Sequence, residues 1–229
     1  MATTTPTRRE LLAVAGGAVL LLGAKRENGN GGDEVSATED LMREHGVLRR
    51  VLLVYREILR RFDAKEDVPT DALAHAATIV RDFIEDYHER DEEEFLFPRF
   101  ERARRLVDLV AVLRQQHAAG RRLTSDVLRL ATAAGLAADG TRRQLADALG
   151  AFIRIYEPHA AREDTVLFPA FRALAGPREL HRLQELFEER EEALPHGGFK
   201  AMVDAVARLE QTFGIADLAR FTPPEPPRR

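Results

Sequence analysis

"YHERDEEEFLFPRF", Tyr87 to Phe100, packs one histidine, seven charged residues and three phenylalanines into fourteen positions. The layout returns in "PHAAREDTVLFPAF", Pro158 to Phe171, which begins 71 residues after the first copy. In each, a Glu follows the His by four residues, and a Phe-Pro pair closes ten residues after it. A spacing of four puts His88 and Glu92 on one face of a helix, about one turn apart, and His159 and Glu163 likewise. Ile84 and Phe95 share the phase of the first pair, Ile155 and Val166 that of the second. Both pairs are therefore predicted to point inward. Glu89, Asp91, Glu93 and Glu94 fall out of phase or at its margin and read as a solvated rim.

From Ser36 onward helical periodicity dominates and strand signals are nearly absent, which predicts an all-α fold. A first helix opens with a possible capping box, Ser36 with Glu39, and carries Leu41, His45, Leu48 and Leu52 on one stripe to about Asp63. A second runs from about Thr70 to Phe97, where Pro98 is expected to stop it. A third spans roughly 106 to 134. A fourth follows a second possible box, Thr141 with Gln144, runs to Phe168 with a bend expected at Pro158, and ends before Pro169. Counted from these turns, His45, His88, His117 and His159 each lie about 27 Å along their helix at 1.5 Å per residue. Short loops then bring all four to one level of an antiparallel up-down four-helix bundle over residues 36–175. "GPRELHRLQELFEEREEALPHGG" continues with a helix opened by Pro177 and another over about 199–213. These predict an additional C-terminal helical hairpin, 176–215, before a Pro-rich tail, 216–229.

The chain has 31% charged and 45% hydrophobic residues, which fits a folded globular protein rather than a disordered one. A net charge of -4 gives no footprint for a nucleic-acid partner. With no cysteine, thiolate ligands are excluded, and a metal would rest on His, Asp and Glu. The segment "TPTRRELLAVAGGAVLLLGAKREN" sets Arg8 and Arg9 just before an apolar run from Leu11 to Leu22. That run falls short of the roughly twenty residues a membrane span needs. It resembles a twin-arginine export signal, Arg8-Arg9-Glu10-Leu11-Leu12, with cleavage plausible after Ala24. Residues 1–35 are thus expected to be an export signal and flexible linker. That implies the twin-arginine export machinery as a partner and a periplasmic or cell-surface location, membrane-anchored where the signal stays uncleaved.

Two carboxylates on an apolar stripe are costly unless a cation meets them, and no Lys or Arg lies in phase. Four imidazoles with two carboxylates suit a pair of first-row transition ions. On "DLMREHGVL", "HERDEEEFLFP", "RQQHAAG" and "HAAREDTVLFP", the segment from Ser36 to about Leu174 resembles the hemerythrin-like (HHE cation-binding) domain. The resemblance implies a non-haem di-iron centre with His45, His88, Glu92, His117, His159 and Glu163 as ligands, the two glutamates bridging; manganese suits the same donors. The oxygen-carrying hemerythrins have a second His one turn after the third-helix ligand, where this chain has Arg121. They also close their last motif with Asp five residues after the His, not Glu four after. Four imidazoles, four bridging oxygens and a shared hydroxide fill about ten of twelve sites, leaving one open position per metal.

The expectation is an exported di-iron protein that binds a small diatomic or peroxide ligand (oxygen, nitric oxide or peroxide) or handles iron. The alternatives are a di-iron oxidoreductase acting as an oxidase or in peroxide or nitric oxide reduction, and a helical interaction module with a structural metal. Around the centre, Phe95, Phe97, Phe100, Phe168 and Phe171 read as a plug at the bundle's end, and Tyr87 and Tyr156 as packing near the ligands. Glu44 and Gln116, each preceding a His, are candidates to orient imidazoles. His75, His181 and His196 read as surface residues, and the acidic run Glu185 to Glu192 as a solvated face.

Overall fold

The computed structural model of the protein describes residues 35–226. The expected signal and nearly all of its linker lie outside the described residues. Within them the chain is helical throughout, with no strand. Helix α1 is Ala37–Asp63. Its start is fixed by the Glu39 carboxylate, which accepts from the Ser36 backbone N at 2.9 Å, so the capping box predicted there is present. Its buried stripe continues through Val47, Leu48, Val51, Tyr55 and Ile58.

The second helical rod, α2, covers residues 70–103 and does not stop at Pro98. It includes π-helical turns at Val80–His88 and Glu92–Leu96, and returns to α-helix at Phe97–Ala103. After α3 (Val107–Leu130) and a short α4 (Ala133–Ala137), the rod α5 covers residues 139–175 and repeats the device. A π-helical turn at Glu163–Leu167 precedes Phe168–Ala175, so Pro169 does not end this rod either. The reason is local. In a π turn each N–H reaches one residue further back, so the return to α skips one carbonyl and interrupts the regular ladder there. Pro98 and Pro169 then stand in the first turn of the α segment that follows, where a proline is tolerated. A prediction based on a 3.6 period alone cannot foresee this.

The turn between α3 and α5 also differs from expectation. α3 ends at Leu130 rather than near residue 134, and the Thr132 hydroxyl caps α4 by accepting from Gly135 N at 2.9 Å. α5 starts at Asp139 behind Ala138, so Thr141 and Gln144 lie inside the helix rather than capping it. Pro158 sits within its Asp139–Arg162 portion.

Helices α6 (Pro177–Glu192) and α7 (Phe199–Phe213) occupy the two C-terminal segments expected to be helical. α6 packs on α1 and the end of α5; α7 packs on α1 and the start of α2. A forked pair holds α7 to α1, with Arg50 donating to Glu210 at 2.9 and 2.6 Å.

Two apolar clusters result. One gathers residues from Val47 to Ile58 of α1 with the first half of α2, the end of α3, the first half of α5, and α7. The other gathers Ala37, Leu41, Leu96, Phe97, Phe100, Val110, Leu113, Leu167, Phe168, Phe171, Leu183 and Phe187. On α1, α2 and α3 the predicted metal-binding positions fall between the stretches that feed these two clusters; on α5 Glu163 does, and His159 stands beside Ala160 at the edge of the first.

Candidate metal centre

The six side chains singled out in the sequence lie together and are buried: Glu92, His117 and Glu163 at 0%, His45 at 1%, His88 at 2% and His159 at 3% exposure. They form two groups whose donor atoms lie within 4.8 Å of one another. One is His45, His88, Glu92 and Glu163; the other is Glu92, His117, His159 and Glu163. Both carboxylates belong to both groups.

Every imidazole turns Nε2 inward. His45 Nε2 is 3.3 Å and His159 Nε2 3.0 Å from the same oxygen of Glu163. His117 Nε2 lies 3.5 Å and His88 Nε2 3.8 Å from opposite oxygens of Glu92. Every Nδ1 faces outward onto an acceptor. His45 faces Asp164 at 2.7 Å, His88 faces Glu44 at 2.6 Å, His117 faces Glu93 at 2.8 Å and His159 faces Gln116 at 2.9 Å. An Nδ1 that donates to such an oxygen leaves Nε2 a bare lone pair. His117 and His159 point these nitrogens at each other across 3.1 Å. Two lone pairs at that distance repel unless a proton or a cation lies between them.

The unpaired atoms point the same way. His88 Nε2 and all four oxygens of Glu92 and Glu163 are buried without a hydrogen-bond partner. Burial and the neighbouring charge of Glu163 push Glu92 well above the usual carboxylate range. Burial works against Glu163 as well, yet His159 and His45 hold it below that range. Two carboxylates this close do not both ionise unless positive charge joins them. Burial lowers His88 and His117, which keeps their imidazoles neutral and able to ligate. The donor set fits metal cations.

An approximate two-fold relation organises the site. Glu44, His45 and Arg49 of α1 correspond to Gln116, His117 and Arg121 of α3 at an offset of 72 residues. His88, Glu92, Glu93 and Phe97 of α2 correspond to His159, Glu163, Asp164 and Phe168 of α5 at an offset of 71. Arg49 pairs with Asp164, and Arg121 with Glu93 at 3.0 Å. Phe97 stacks on His117 with centroids 5.5 Å apart and a 23° tilt; Phe168 stacks on His45 at 5.6 Å and 22°. Each phenylalanine of a Phe-Pro pair thus covers an imidazole on another helix.

Several expectations change here. Glu89 and Asp91 are not a solvated rim: both are 1% exposed. Glu89 accepts from the Tyr156 hydroxyl at 2.5 Å and pairs with Arg121 at 2.9 Å, while Asp91 faces Arg190 at 3.0 Å. Glu93, only partly exposed, orients His117; of the four acids, Glu94 is exposed as expected. Beyond the glutamates the inward positions are Leu96 and Leu167, whereas Phe95 and Val166 are half-buried, because the π turns shift the phase by one residue. Phe97, Phe100, Phe168 and Phe171 do form an apolar end. Tyr87 donates to the Phe187 carbonyl at 3.3 Å. Glu44 and Gln116 do orient imidazoles, but those of the next helix rather than their sequence neighbours. His75, His181 and His196 are exposed.

The sequence model of the hemerythrin HHE cation binding domain matches residues 36–171, and matches again over 108–220. The chain belongs to this family, and its His/Glu clusters fit the cation binding that the family's description states. It is 49% identical over 190 residues to the uncharacterized protein Rv1995 of Mycobacterium tuberculosis (strain ATCC 25618 / H37Rv), covering 82% of this chain and 74% of the relative. The uncharacterized proteins MT2051 of M. tuberculosis (strain CDC 1551 / Oshkosh) and Mb2018 of Mycobacterium bovis match with the same identity and coverage. No solved structure matches the chain.

Proposed function

We propose that the chain holds two iron ions in a non-haem di-iron centre, with manganese as the other ion its donors suit. His45 and His88 would hold one ion, His117 and His159 the other, and Glu92 and Glu163 would bridge them. The observation that carries this reading is that the same two carboxylates, with all their oxygens unpaired, belong to both donor groups. The frame is read as an antiparallel up-down four-helix bundle over 36–175, with the hairpin 176–215 and the tail 216–229 added. The Arg8-Arg9 segment supports export by the twin-arginine route to a periplasmic or cell-surface location.

A bound iron pair supplies open positions for a small ligand (oxygen, nitric oxide or peroxide) and electrons for its reduction. The chain's own residues do the rest. Glu44, Asp164, Glu93 and Gln116 fix each imidazole's rotation and keep the proton on Nδ1. Phe97 and Phe168 keep bulk water from the imidazoles they cover. The function this supports best is reversible binding of such a ligand, or the handling of iron.

Metal analysis tests the centre. The parent should carry two equivalents of iron or manganese, and His88→Ala and Glu163→Ala should each lose most of it. Full retention in either variant removes that residue from the ligand set. Exposing the reduced protein to oxygen or nitric oxide then tests the role. A reversible spectral change supports binding, and steady consumption of the oxidant would make it an oxidoreductase instead.

A further inference from the structure

The end of the molecule that holds Phe97 and Phe168 is basic on its outer surface. Two chain reversals meet there: residues 104–106 join α2 to α3, and Gly176 joins α5 to α6. Residues 99–108 and 172–182, which surround them, hold seven arginines against three acids, Glu101, Asp108 and Glu179. The whole chain is net -4, so this end is opposite in sign to the remainder. Glu179 meets Arg99 and Arg182, and Glu101 meets Arg114. Arg102, Arg104, Arg105 and Arg178 are exposed, and among the described residues none of them forms an ion pair. Burial, then the charges of Arg182 and Arg102, lower Arg99, which ties the two arginine groups into one field.

Apolar side chains are exposed in the same place. Leu106 is 36% exposed, Val107 42% and Val112 47%, half of the six large hydrophobic residues exposed among the described ones. Arg104 and Leu106 are both held in the left-handed region, at φ 52° and 49°, and neither is a glycine. The turn that accepts this strain displays Arg104, Arg105, Leu106 and Val107 to solvent. The start of α1 lies at this end too, because Ala37 belongs to the same apolar cluster as Phe97 and Phe168. The apolar run Leu11 to Leu22 precedes Ser36 by fourteen residues, so where that run sits in a membrane, this is the end it is tied to.

Exposed arginines alone read as a solvated face, and single exposed valines are ordinary. Basic and apolar side chains on one projecting turn are what a bilayer interface selects. Guanidinium groups meet the lipid phosphates, and the apolar side chains enter the boundary with the acyl chains. We propose that this end of the bundle docks on an anionic lipid bilayer, with Arg102, Arg104 and Arg105 at the headgroups and Leu106 and Val107 reaching below them. The acidic remainder of the molecule is turned away from the same surface. Docking sets the aromatic side of the candidate centre toward the membrane, and it stands apart from the metal reading.

The chain has no tryptophan, so Val107→Trp places a single reporter at the turn. Leu53→Trp, at a residue 38% exposed and about 24 Å along α1 from this end, is the control. Both full-length variants are mixed with phosphatidylcholine vesicles, with and without about one-third phosphatidylglycerol. On the anionic vesicles the Val107→Trp emission should shift to the blue and be quenched by brominated acyl chains, while Leu53→Trp stays unchanged. Arg102→Gln/Arg104→Asn/Arg105→Gln should lower the preference for anionic over neutral vesicles about 100-fold in sedimentation, at about a factor of five per arginine. Arg122→Gln/Arg143→Gln/Arg154→Gln removes the same charge from exposed positions elsewhere and should lower it less than about tenfold. Circular dichroism checks that every variant is folded. An unshifted Val107→Trp, an equal response from Leu53→Trp, or two triple variants that lower the preference alike overturns the proposal. A blue shift that arises without lipid and grows with protein concentration assigns the face to a second copy of this chain and overturns it as well.

Discussion

The centre meets two different materials on its two sides. Toward Phe97 and Phe168 it meets aromatic rings laid directly on His117 and His45, with Phe100 and Phe171, 6.0 Å apart, in the same apolar cluster. Toward the middle of the molecule it meets Tyr156, whose ring lies 5.3 Å from His159 and whose hydroxyl donates to Glu89. There the apolar cluster is interrupted by polar groups: Tyr55 Oη is buried without a hydrogen-bond partner, and buried Glu85 meets Arg81 at 2.9 Å with Thr124 beside it. One side keeps water away by packing. The other carries hydrogen-bonding capacity to within a residue of the ligands. The difference teaches that the two ends of one core do separate jobs, and each can be disturbed without the other.

The largest expected effect comes from the aromatic side. Phe168→Ala should cost about 3–5 kcal/mol of stability, as should Phe152→Ala in the other cluster. Only Phe168→Ala should also lower metal affinity, since only that ring rests on a predicted ligand. Denaturant unfolding paired with metal titration checks this. Equal affinity losses in both variants would erase the distinction between the sides.

Gly120→Ala addresses the polar side. A Cβ at Gly120 would lie 2.0 Å from the Tyr156 hydroxyl, so the buried ring must move. The expected loss is about 1–3 kcal/mol in denaturant unfolding. Unchanged stability would mean that Tyr156 is not held in place.

How much of this was legible in the sequence can be judged residue by residue. The levels of His45, His88, His117 and His159 were, although the count from the α3–α5 turn was off at both ends. α3 ends four residues early and α5 begins two early, with α4 filling the space between. The placement survived because shifts of four and two residues move a level by only about 6 and 3 Å at 1.5 Å per residue. The α7 boundaries were legible too, marked by Gly198 and Gly214. The partners of the imidazoles were not. Glu44 precedes His45 but serves His88, and that depends on how two rods are rotated against each other, which periodicity within one rod does not report. The π turns were hidden for a related reason: they change the phase that the pattern assumes constant, and so moved Leu96 inward in place of Phe95.

A smaller effect should sharpen the charge contrast at the rim of the aromatic end. Burial, with Glu191 adding to it, raises Asp40 from 3.8 to about 6. The folded state therefore holds this proton more tightly than the unfolded chain, and that stabilising contribution fades as pH rises from about 4 through 6. Asp40→Asn should match the parent near pH 4 and exceed it at pH 7, by on the order of 1 kcal/mol. A constant gap across that range in a pH series of unfolding curves would count against the assignment. The smallest effect concerns the connection into α3, where Leu106 is held at φ 49°. Leu106→Gly should gain about 0.5 kcal/mol, relief of the left-handed strain exceeding the added chain entropy. A loss on thermal or denaturant unfolding would show that the half-exposed side chain matters more than the backbone.

The crossed covering of the imidazoles has a consequence for how the molecule can come together. The ring on His45 comes from α5 and the ring on His117 from α2, and each outward Nδ1 is likewise met by a neighbouring rod. No consecutive pair of helices contains a finished cage for even one ion. A chain nicked within 131–138 would put Glu163, which both donor groups need, on a different fragment from His45, His88 and Glu92, and the full donor set would form only when both fragments are mixed.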